Sequence, residues 1–157
     1  MSTNAERVST NAERVAMPFD RVAERLRTCL RGGELGHIDA VVALARGGVV
    51  PAALAAYELG VPLRLLRSRF RDDDNRPLAD TPHISEHLPD LQGQRVLVID
   101  DVSVSGATLR AAREALGDGV EVVTLVVKGR AGAADVVLFD DVPSCVVWPW
   151  FEDVAPA

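Results

Sequence analysis

The residues best suited to chemistry lie in segment 96–109, where an apolar run ends in two adjacent carboxylates, Asp100 and Asp101. A turn of small residues follows, made of Val104, Ser105, Gly106, Ala107 and Thr108. The backbone N–H groups of such a turn, together with the hydroxyls of Ser105 and Thr108, can bind an anion at the positive end of a helix dipole. The segment therefore predicts a site for a phosphomonoester.

Asp100 and Asp101 lie only a few residues from this turn, so they are poorly placed to hold a second anion. They are well placed to accept hydrogen bonds from sugar hydroxyls and to hold a hard cation such as Mg²⁺, directly or through water. A structural alternative stays open at this point. A strand followed by a helix cap would leave the two acids solvated at the edge of a sheet.

A second candidate segment is Ala45-Arg46-Gly47-Gly48. It follows another apolar run and combines a cation with two glycines, where the backbone can turn sharply and approach a ligand closely. Arg46 is suited to clamp a second phosphate group. Taken alone, such a segment is more often a glycine turn with a solvated arginine.

Short buried strands alternate with helices along the chain. Apolar runs predict strands at 38–44, 61–66, 95–100 and 120–127, with one or two more within 134–139 and 144–150. Periodicity and glycine signals predict helices from Pro18 to just before Gly32, at 49–59 and at 108–116. This alternation predicts an α/β fold, with a doubly wound, mostly parallel sheet and helices on both faces. Ligands of such sheets bind beyond the carboxyl ends of the strands, where both candidate segments lie.

The chain of 157 residues, 48% of them hydrophobic, fits one compact domain. Residues 2–8 and 9–15 are identical copies of Ser-Thr-Asn-Ala-Glu-Arg-Val. We interpret residues 1–17 as a polar extension and residues 18–157 as the domain. The copies are too short and too polar to build a repeat fold.

The composition disfavours several classes of function. A net charge of −6 argues against a general binder of nucleic acids or anionic membranes. The two cysteines, Cys29 and Cys145, lie far apart, so neither a disulfide framework nor a zinc site is indicated and a cytoplasmic location is expected. His83 and His87 lie four residues apart but lack a third ligand, which disfavours a metal site there.

The apolar strand, the acidic pair and the Ser-Gly-Ala-Thr turn together resemble the signature of the type I phosphoribosyltransferases, over roughly residues 38–150. Within that family the chain resembles the bacterial xanthine-guanine and hypoxanthine enzymes. The resemblance implies that residues 104–108 bind the 5′-phosphate of phosphoribosyl pyrophosphate. It also implies that Asp100 and Asp101 hold the ribose hydroxyls and Mg²⁺, that Arg46 and Gly47 hold pyrophosphate, and that a non-proline cis peptide lies nearby.

The same resemblance extends to an acceptor site and a mobile loop. It implies that Lys128 contacts an exocyclic oxygen of the base and that the backbone near Val146 reads the edge of the base. Cys145 stands where the xanthine-guanine enzymes have the stacking aromatic residue. Trp148 or Trp150 could replace that residue, and a role of these tryptophans as core or rim aromatics is an equal alternative. Residues 70–78 resemble the start of the mobile catalytic loop, and the part around 71–75 is expected to close over the site.

One departure concerns Val104, which stands where the 6-oxopurine enzymes have an aspartate that exchanges a proton with the base. Valine has no group for acid–base chemistry. The resemblance implies a magnesium-dependent pentosyltransferase of nucleotide metabolism, such as purine salvage, and a homodimer. Because of Val104, two alternatives stay open: a catalytically weak regulator or accessory protein that binds phosphoribosyl pyrophosphate or nucleotides, and an enzyme whose acceptor is a non-purine heterocycle or an amide.

Overall fold

The computed structural model describes residues 14–68, 84, 86–142 and 145–151. These residues contain seven strands and three helices. The strands are β1 (Arg14–Ala16), β2 (Ala40–Ala45), β3 (Leu63–Arg67), β4 (Arg95–Ser103), β5 (Glu121–Gly129), β6 (Val136–Phe139) and β7 (Cys145–Val147). The helices are α1 (Phe19–Arg31), α2 (Val49–Leu59) and α3 (Ala107–Leu116), and short 3₁₀ turns occupy Pro89–Leu91 and Pro149–Phe151.

The central sheet has five parallel strands in the order β3-β2-β4-β5-β6. Side chains on one face of the sheet pack against α1 and α2, and those on the other face pack against α3. Strands β2 and β4 lie in the middle of this arrangement, and for this reason their sequences are nearly continuous apolar runs. The predicted α/β fold, with a parallel sheet and helices on both faces, is confirmed.

The helices follow the pattern of their apolar residues. In α1 the buried positions are Val22, Ala23 and Leu26, while charged residues occupy the exposed face. Helix α2 ends at Gly60, whose φ of 67° is a left-handed conformation that glycine adopts easily. Within the described ranges, the helices are too short or too polar to cross a membrane.

The short strand β1 lies inside the segment that we interpreted as a polar extension. It pairs in parallel with β7, with Val15 opposite Val146, and the N–H of Met17 donates to the carbonyl of Val147 at 3.1 Å. Residues 14–16 are therefore part of a two-stranded sheet, which corrects the interpretation of this part of the extension. A strand of three residues is too short to show an alternating pattern. Most of the tandem copy, residues 1–13, lies outside the described residues.

Strand β4 continues past the apolar run that predicted it. Its backbone pairing with β5 extends to Val102 opposite Lys128 and Ser103 opposite Gly129. Asp100 and Asp101 therefore lie within the last four residues of the strand instead of after it. Strand β4 is longer than predicted because its backbone pairs with β5 whether or not the side chains are apolar. The prediction used only the pattern of apolar residues.

Candidate active site

The two candidate segments meet at the carboxyl edge of the sheet. Strands β2 and β4 are neighbours, with Ala43 opposite Ile99, so their carboxyl ends lie side by side. A Cβ atom placed on Gly47 would lie 2.3 Å from Oδ1 and 2.6 Å from Oδ2 of Asp101. The carboxylate of Asp101 thus lies directly against the backbone of Gly47, and only glycine leaves room for it. The Ala45–Arg46 peptide bond is cis, which confirms the predicted cis peptide.

Asp100 and Asp101 form a half-buried pair of carboxyl groups. Burial raises the pKa of Asp100 well above its usual range, and the adjacent charge of Asp101 raises that pKa further. Burial also raises the pKa of Asp101, although hydrogen bonds to its carboxylate oppose the increase. One of these bonds comes from the N–H of Val102, which donates to Oδ1 at 2.8 Å. A cation or sugar hydroxyl groups would compensate this concentration of negative charge.

The predicted phosphate turn leads directly into α3. Gly106 precedes the helix with a φ of 74°, and a Cβ atom there would lie 2.8 Å from the carbonyl oxygen of Ala133. The buried hydroxyl of Ser103 accepts a hydrogen bond from the N–H of Gly106 at 3.0 Å. On the outer side, Nη1 of Arg110 donates to the carbonyl of Ser105 at 2.8 Å. These contacts hold the turn so that its small residues surround the amino end of α3.

Substitution of Ser103 tests how far this internal bond orders the turn. We expect Ser103→Ala to lower the free energy of unfolding by about 1 kcal/mol, since the buried N–H of Gly106 loses its acceptor. Phosphate affinity should also fall several-fold, and both effects can be measured by urea unfolding and by titration with ribose 5-phosphate. Thr28→Ala is the matched control, because its hydroxyl donates only to a carbonyl on the exposed face of α1. Unchanged unfolding and binding for Ser103→Ala would contradict this role.

The residues predicted to contact the acceptor base lie at the ends of β5 and β7. Lys128 lies near the end of β5, opposite Val102 on one side and Phe139 on the other. Val146 lies in β7, which pairs with β1 and packs against the same core cluster as β5. Trp148 follows β7 and is only 4% exposed. The structure therefore brings Lys128 to the edge where the carboxylates lie and places Val146 in a separate short sheet.

Comparison with known proteins identifies the family. Residues 19–156, most of the chain, match the phosphoribosyl transferase domain. The chain belongs to this family. The resemblance to the type I phosphoribosyltransferases is thereby confirmed.

Curated relatives of this phosphoribosyl transferase domain differ in their described roles. Transcriptional regulator GfcR of Methanocella arvoryzae is 32% identical over 101 residues, covering 62% of this chain and 49% of that protein. Adenine phosphoribosyltransferase of Treponema denticola is 35% identical over 89 residues, covering 52% and 47%. An HGPRTase-like protein of Halorubrum lacusprofundi is 35% identical over 104 residues, covering 62% and 55%. The chain spans about half the length of the curated relatives it matches.

Solved structures share the fold over nearly the whole phosphoribosyl transferase domain. Purine phosphoribosyltransferase from Pyrococcus horikoshii superposes with a TM-score of 0.70 at 22% identity, covering 92% of this chain and 98% of that chain. Xanthine-guanine-hypoxanthine phosphoribosyltransferase from Helicobacter pylori superposes with a TM-score of 0.73 at 16% identity, covering 88% and 94%. At these identities the likeness establishes the fold.

Two features of the phosphoribosyl transferase domain were not predicted from its sequence. These are the hydroxyl of Ser103 inside the predicted phosphate turn and the guanidinium of Arg110 on its outer side. The spacing of Ser103, three residues before Gly106, is a usable signal, because a serine hydroxyl commonly accepts from a nearby backbone N–H. The contact of Arg110 depends on side-chain direction. The predicted closing loop, residues 71–75, and His83 lie outside the described residues.

Proposed function

We propose that this domain transfers the 5-phosphoribosyl group from phosphoribosyl pyrophosphate to a nitrogenous base, purine-like or another heterocycle, and releases pyrophosphate. The observation that supports this most strongly is the contact of the Asp101 carboxylate with the backbone of Gly47. Through this contact, a carboxylate that can accept hydrogen bonds from ribose hydroxyls lies beside the turn that can bind pyrophosphate. A donor that contains ribose between a phosphate and a pyrophosphate matches this order of groups.

In the proposed reaction the protein positions the donor and stabilises charge. Residues 104–108 bind the 5′-phosphate at the amino end of α3, and Asp100 and Asp101 accept hydrogen bonds from the ribose hydroxyls. Arg46 and Gly47 bind the pyrophosphate group. The C1–O bond to pyrophosphate breaks, and its electron pair stays on the leaving oxygen. The acceptor nitrogen forms its bond to C1, and the proton of a ring N–H passes to pyrophosphate or water. Fixed geometry and charge stabilisation are the main sources of rate enhancement for such a displacement.

Mg²⁺ is the cation that we propose for the acidic pair. Asp100 and Asp101 provide oxygen ligands. Burial raises the pKa of both groups because it disfavours their charged forms, and a bound cation would offset this cost. Mg²⁺ is commonly held by one or two carboxylates together with water and substrate phosphates. When bound, the ion neutralises charge on the pyrophosphate group.

For the acceptor, we propose that Lys128 contacts an exocyclic oxygen of the base and that the backbone near Val146 reads its edge, with Trp148 contributing aromatic surface. Val104 is 60% exposed at the end of the strand that carries the acidic pair, and it offers no proton. The proposed acceptor therefore needs no proton exchange at this position. A cytoplasmic location is also proposed, since both cysteines are free thiols, and a homodimer remains a prediction.

A second candidate function is that of a regulator which binds phosphoribosyl pyrophosphate with little turnover. The exposed Val104 favours it, because the side chain has no group for acid–base chemistry. The relative described as transcriptional regulator GfcR also favours it. Donor binding without pyrophosphate release over a broad panel of bases would select this candidate.

The transferase is tested by pyrophosphate release from phosphoribosyl pyrophosphate and Mg²⁺, with guanine, xanthine, hypoxanthine, adenine, uracil and orotate offered in turn. We expect release with one of these bases, and we expect Asp101→Asn to lower kcat/KM by about 100-fold or more through loss of ribose and cation contacts. Asp118→Asn is the matched control, because Asp118 lies at the opposite edge of the sheet, near the amino ends of β4 and β5. Failure to bind the donor would contradict both candidate functions.

A further inference from the structure

The connection from β5 to β6 packs against the predicted phosphate turn. A Cβ atom placed on Gly106 would lie 2.8 Å from the carbonyl oxygen of Ala133, and one placed on Gly129 would lie 2.6 Å from the carbonyl oxygen of Ser103. The turn thus meets the chain both just before and within the connection, residues 130–135. The position of this connection therefore limits where the backbone of the turn can lie.

Asp135 ends the connection and is bonded to both β5 and α3. Its Oδ2 atom accepts hydrogen bonds from the N–H and from the hydroxyl of Thr124, at 2.8 and 2.9 Å. The Thr124 hydroxyl in turn accepts from the N–H of Asp135 at 2.9 Å. The same Oδ2 atom accepts from Nη2 of Arg113 at 3.2 Å, and Nη1 of Arg113 donates to the carbonyl of Val122 at 2.8 Å. One carboxylate oxygen thus joins a strand and a helix at the residue where the connection ends.

The bonds to Thr124 contribute more to this arrangement than the ion pair does. Thr124 is 4% exposed, so its N–H and hydroxyl would be costly to leave without partners. Pairing of β5 with β6 begins at Leu125 opposite Val136, and the Asp135 carboxylate serves the N–H just before that point. The side chains of Asp135 and Arg113 are each about half exposed, and solvent weakens such an ion pair.

We propose that Asp135 is a positioning residue for the 5′-phosphate site, since its bonds to Thr124 hold the Ala133 carbonyl against Gly106. This inference rests on the proposed function, in which residues 104–108 bind the phosphate, and adds to it a residue outside that turn. Ala133 lies only two residues before Asp135, so release of Asp135 moves Ala133 as well. Gly106 then loses the contact behind it, and the N–H groups of the turn no longer converge on one anion.

Amide exchange tests the positioning role without a ligand. The N–H of Gly106 donates to the hydroxyl of Ser103, and the N–H of Gly93 donates to the carbonyl of Gly119 at the opposite edge of the sheet. In full-length Asp135→Ala we expect the Gly106 N–H to exchange with solvent about tenfold faster than in the wild type, and the Gly93 N–H to stay within about twofold. Equal acceleration of both amides would indicate a general loss of stability and would overturn the proposal, as would an unchanged Gly106 N–H.

Titration with ribose 5-phosphate then tests the effect on the site. We expect Asp135→Ala to bind it about tenfold more weakly than the wild type, because small displacements of binding groups have large effects. Asp90→Ala is the matched control, because Asp90 is an about equally exposed carboxylate that pairs with Arg64 at 2.9 Å, before the amino end of β4. This control should stay within about twofold of the wild type. Equal affinity of Asp135→Ala and the wild type would overturn the inference.

A second pair of variants tests the same contact if Asp135→Ala does not fold. Thr124→Ser keeps the hydroxyl that bonds to Asp135, and Thr124→Val removes it at nearly the same volume. We expect the serine variant to bind ribose 5-phosphate like the wild type and the valine variant to bind it about fivefold more weakly. Equal affinity of these two variants would also overturn the inference. A wild type that does not bind ribose 5-phosphate would count against the proposed function, and the exchange of the Gly106 N–H would still decide on Asp135.

Discussion

Gly47→Ala is expected to lower kcat/KM for phosphoribosyl pyrophosphate by about 100-fold or more, while the variant unfolds at nearly the wild-type temperature. A Cβ atom at this position would lie 2.3 Å from Oδ1 of Asp101 and 2.4 Å from its carboxyl carbon. Only the end of a side chain stands in the way, so the protein can relieve the overlap by turning Asp101 aside. The fold survives, but the carboxylate leaves its position, and a displacement of about 1 Å can reduce a rate by about 100-fold.

Steady-state pyrophosphate release and thermal unfolding measure the two effects on one sample. Gly32→Ala is the control, because a Cβ atom there meets its nearest neighbours, two backbone oxygens of α1, at 3.4 Å. That variant should retain wild-type activity and stability. Wild-type kinetics for Gly47→Ala would show that the orientation of Asp101 against this backbone does not matter for the reaction. A large loss of stability would show that the overlap is relieved by the backbone instead.

The neighbouring substitution, Gly48→Ala, should have the opposite profile, with a large loss of stability. Its Cβ atom would lie 2.2 Å from the carbonyl oxygen of Ile99 in β4 and 2.9 Å from that of Leu44 in β2. Both are backbone atoms of central strands, so no side chain can turn away. We expect the free energy of unfolding to fall by about 3 kcal/mol or more.

For a chain of this length that loss corresponds to a melting temperature lower by roughly 6–12 °C. Circular dichroism during heating and urea unfolding at 25 °C measure it. Comparison with Gly47→Ala provides the matched control, since the two variants add the same methyl group to adjacent residues. A Gly48→Ala protein that melts with the wild type would mean that β2 and β4 can separate at this point without cost.

Much of the fold follows from local sequence pattern. The nearly continuous apolar run 95–100 predicts a strand with both faces covered, and Leu97 and Val98 are indeed fully buried toward opposite faces. Gly60 correctly predicts the end of α2. Such features are predictable because burial and helix termination are decided by residues close together in the sequence.

Other features depend on contacts between distant segments. Hydrophobic pattern gave no sign that β4 would continue through Asp101 to Ser103, because backbone pairing with β5 decides its length. The same is true of β1, whose three residues form a strand only because β7 offers them an edge.

The candidate site also combines features that local sequence predicted with features that depend on contacts between distant segments. Residue types predicted the acidic pair and the turn before α3, since adjacent carboxylates and a small-residue loop each have few chemical uses. The contact of Gly47 with Asp101 needed the relative placement of β2 and β4. The stacking of Trp148 on Trp150, with ring centroids 5.0 Å apart, likewise needed the packing of the segment after β7.

The pairing of β1 with β7 joins residues that are nearly a whole chain length apart. During synthesis β1 emerges from the ribosome before the other described strands and β7 emerges after them, so their parallel pairing can form only once all the described strands have been made. A nascent chain that has reached only β6 already contains Asp100, Asp101, the turn before α3 and Lys128. Val146 and Trp148 are added afterwards, so the segment proposed to contact the base is completed later than the proposed donor site.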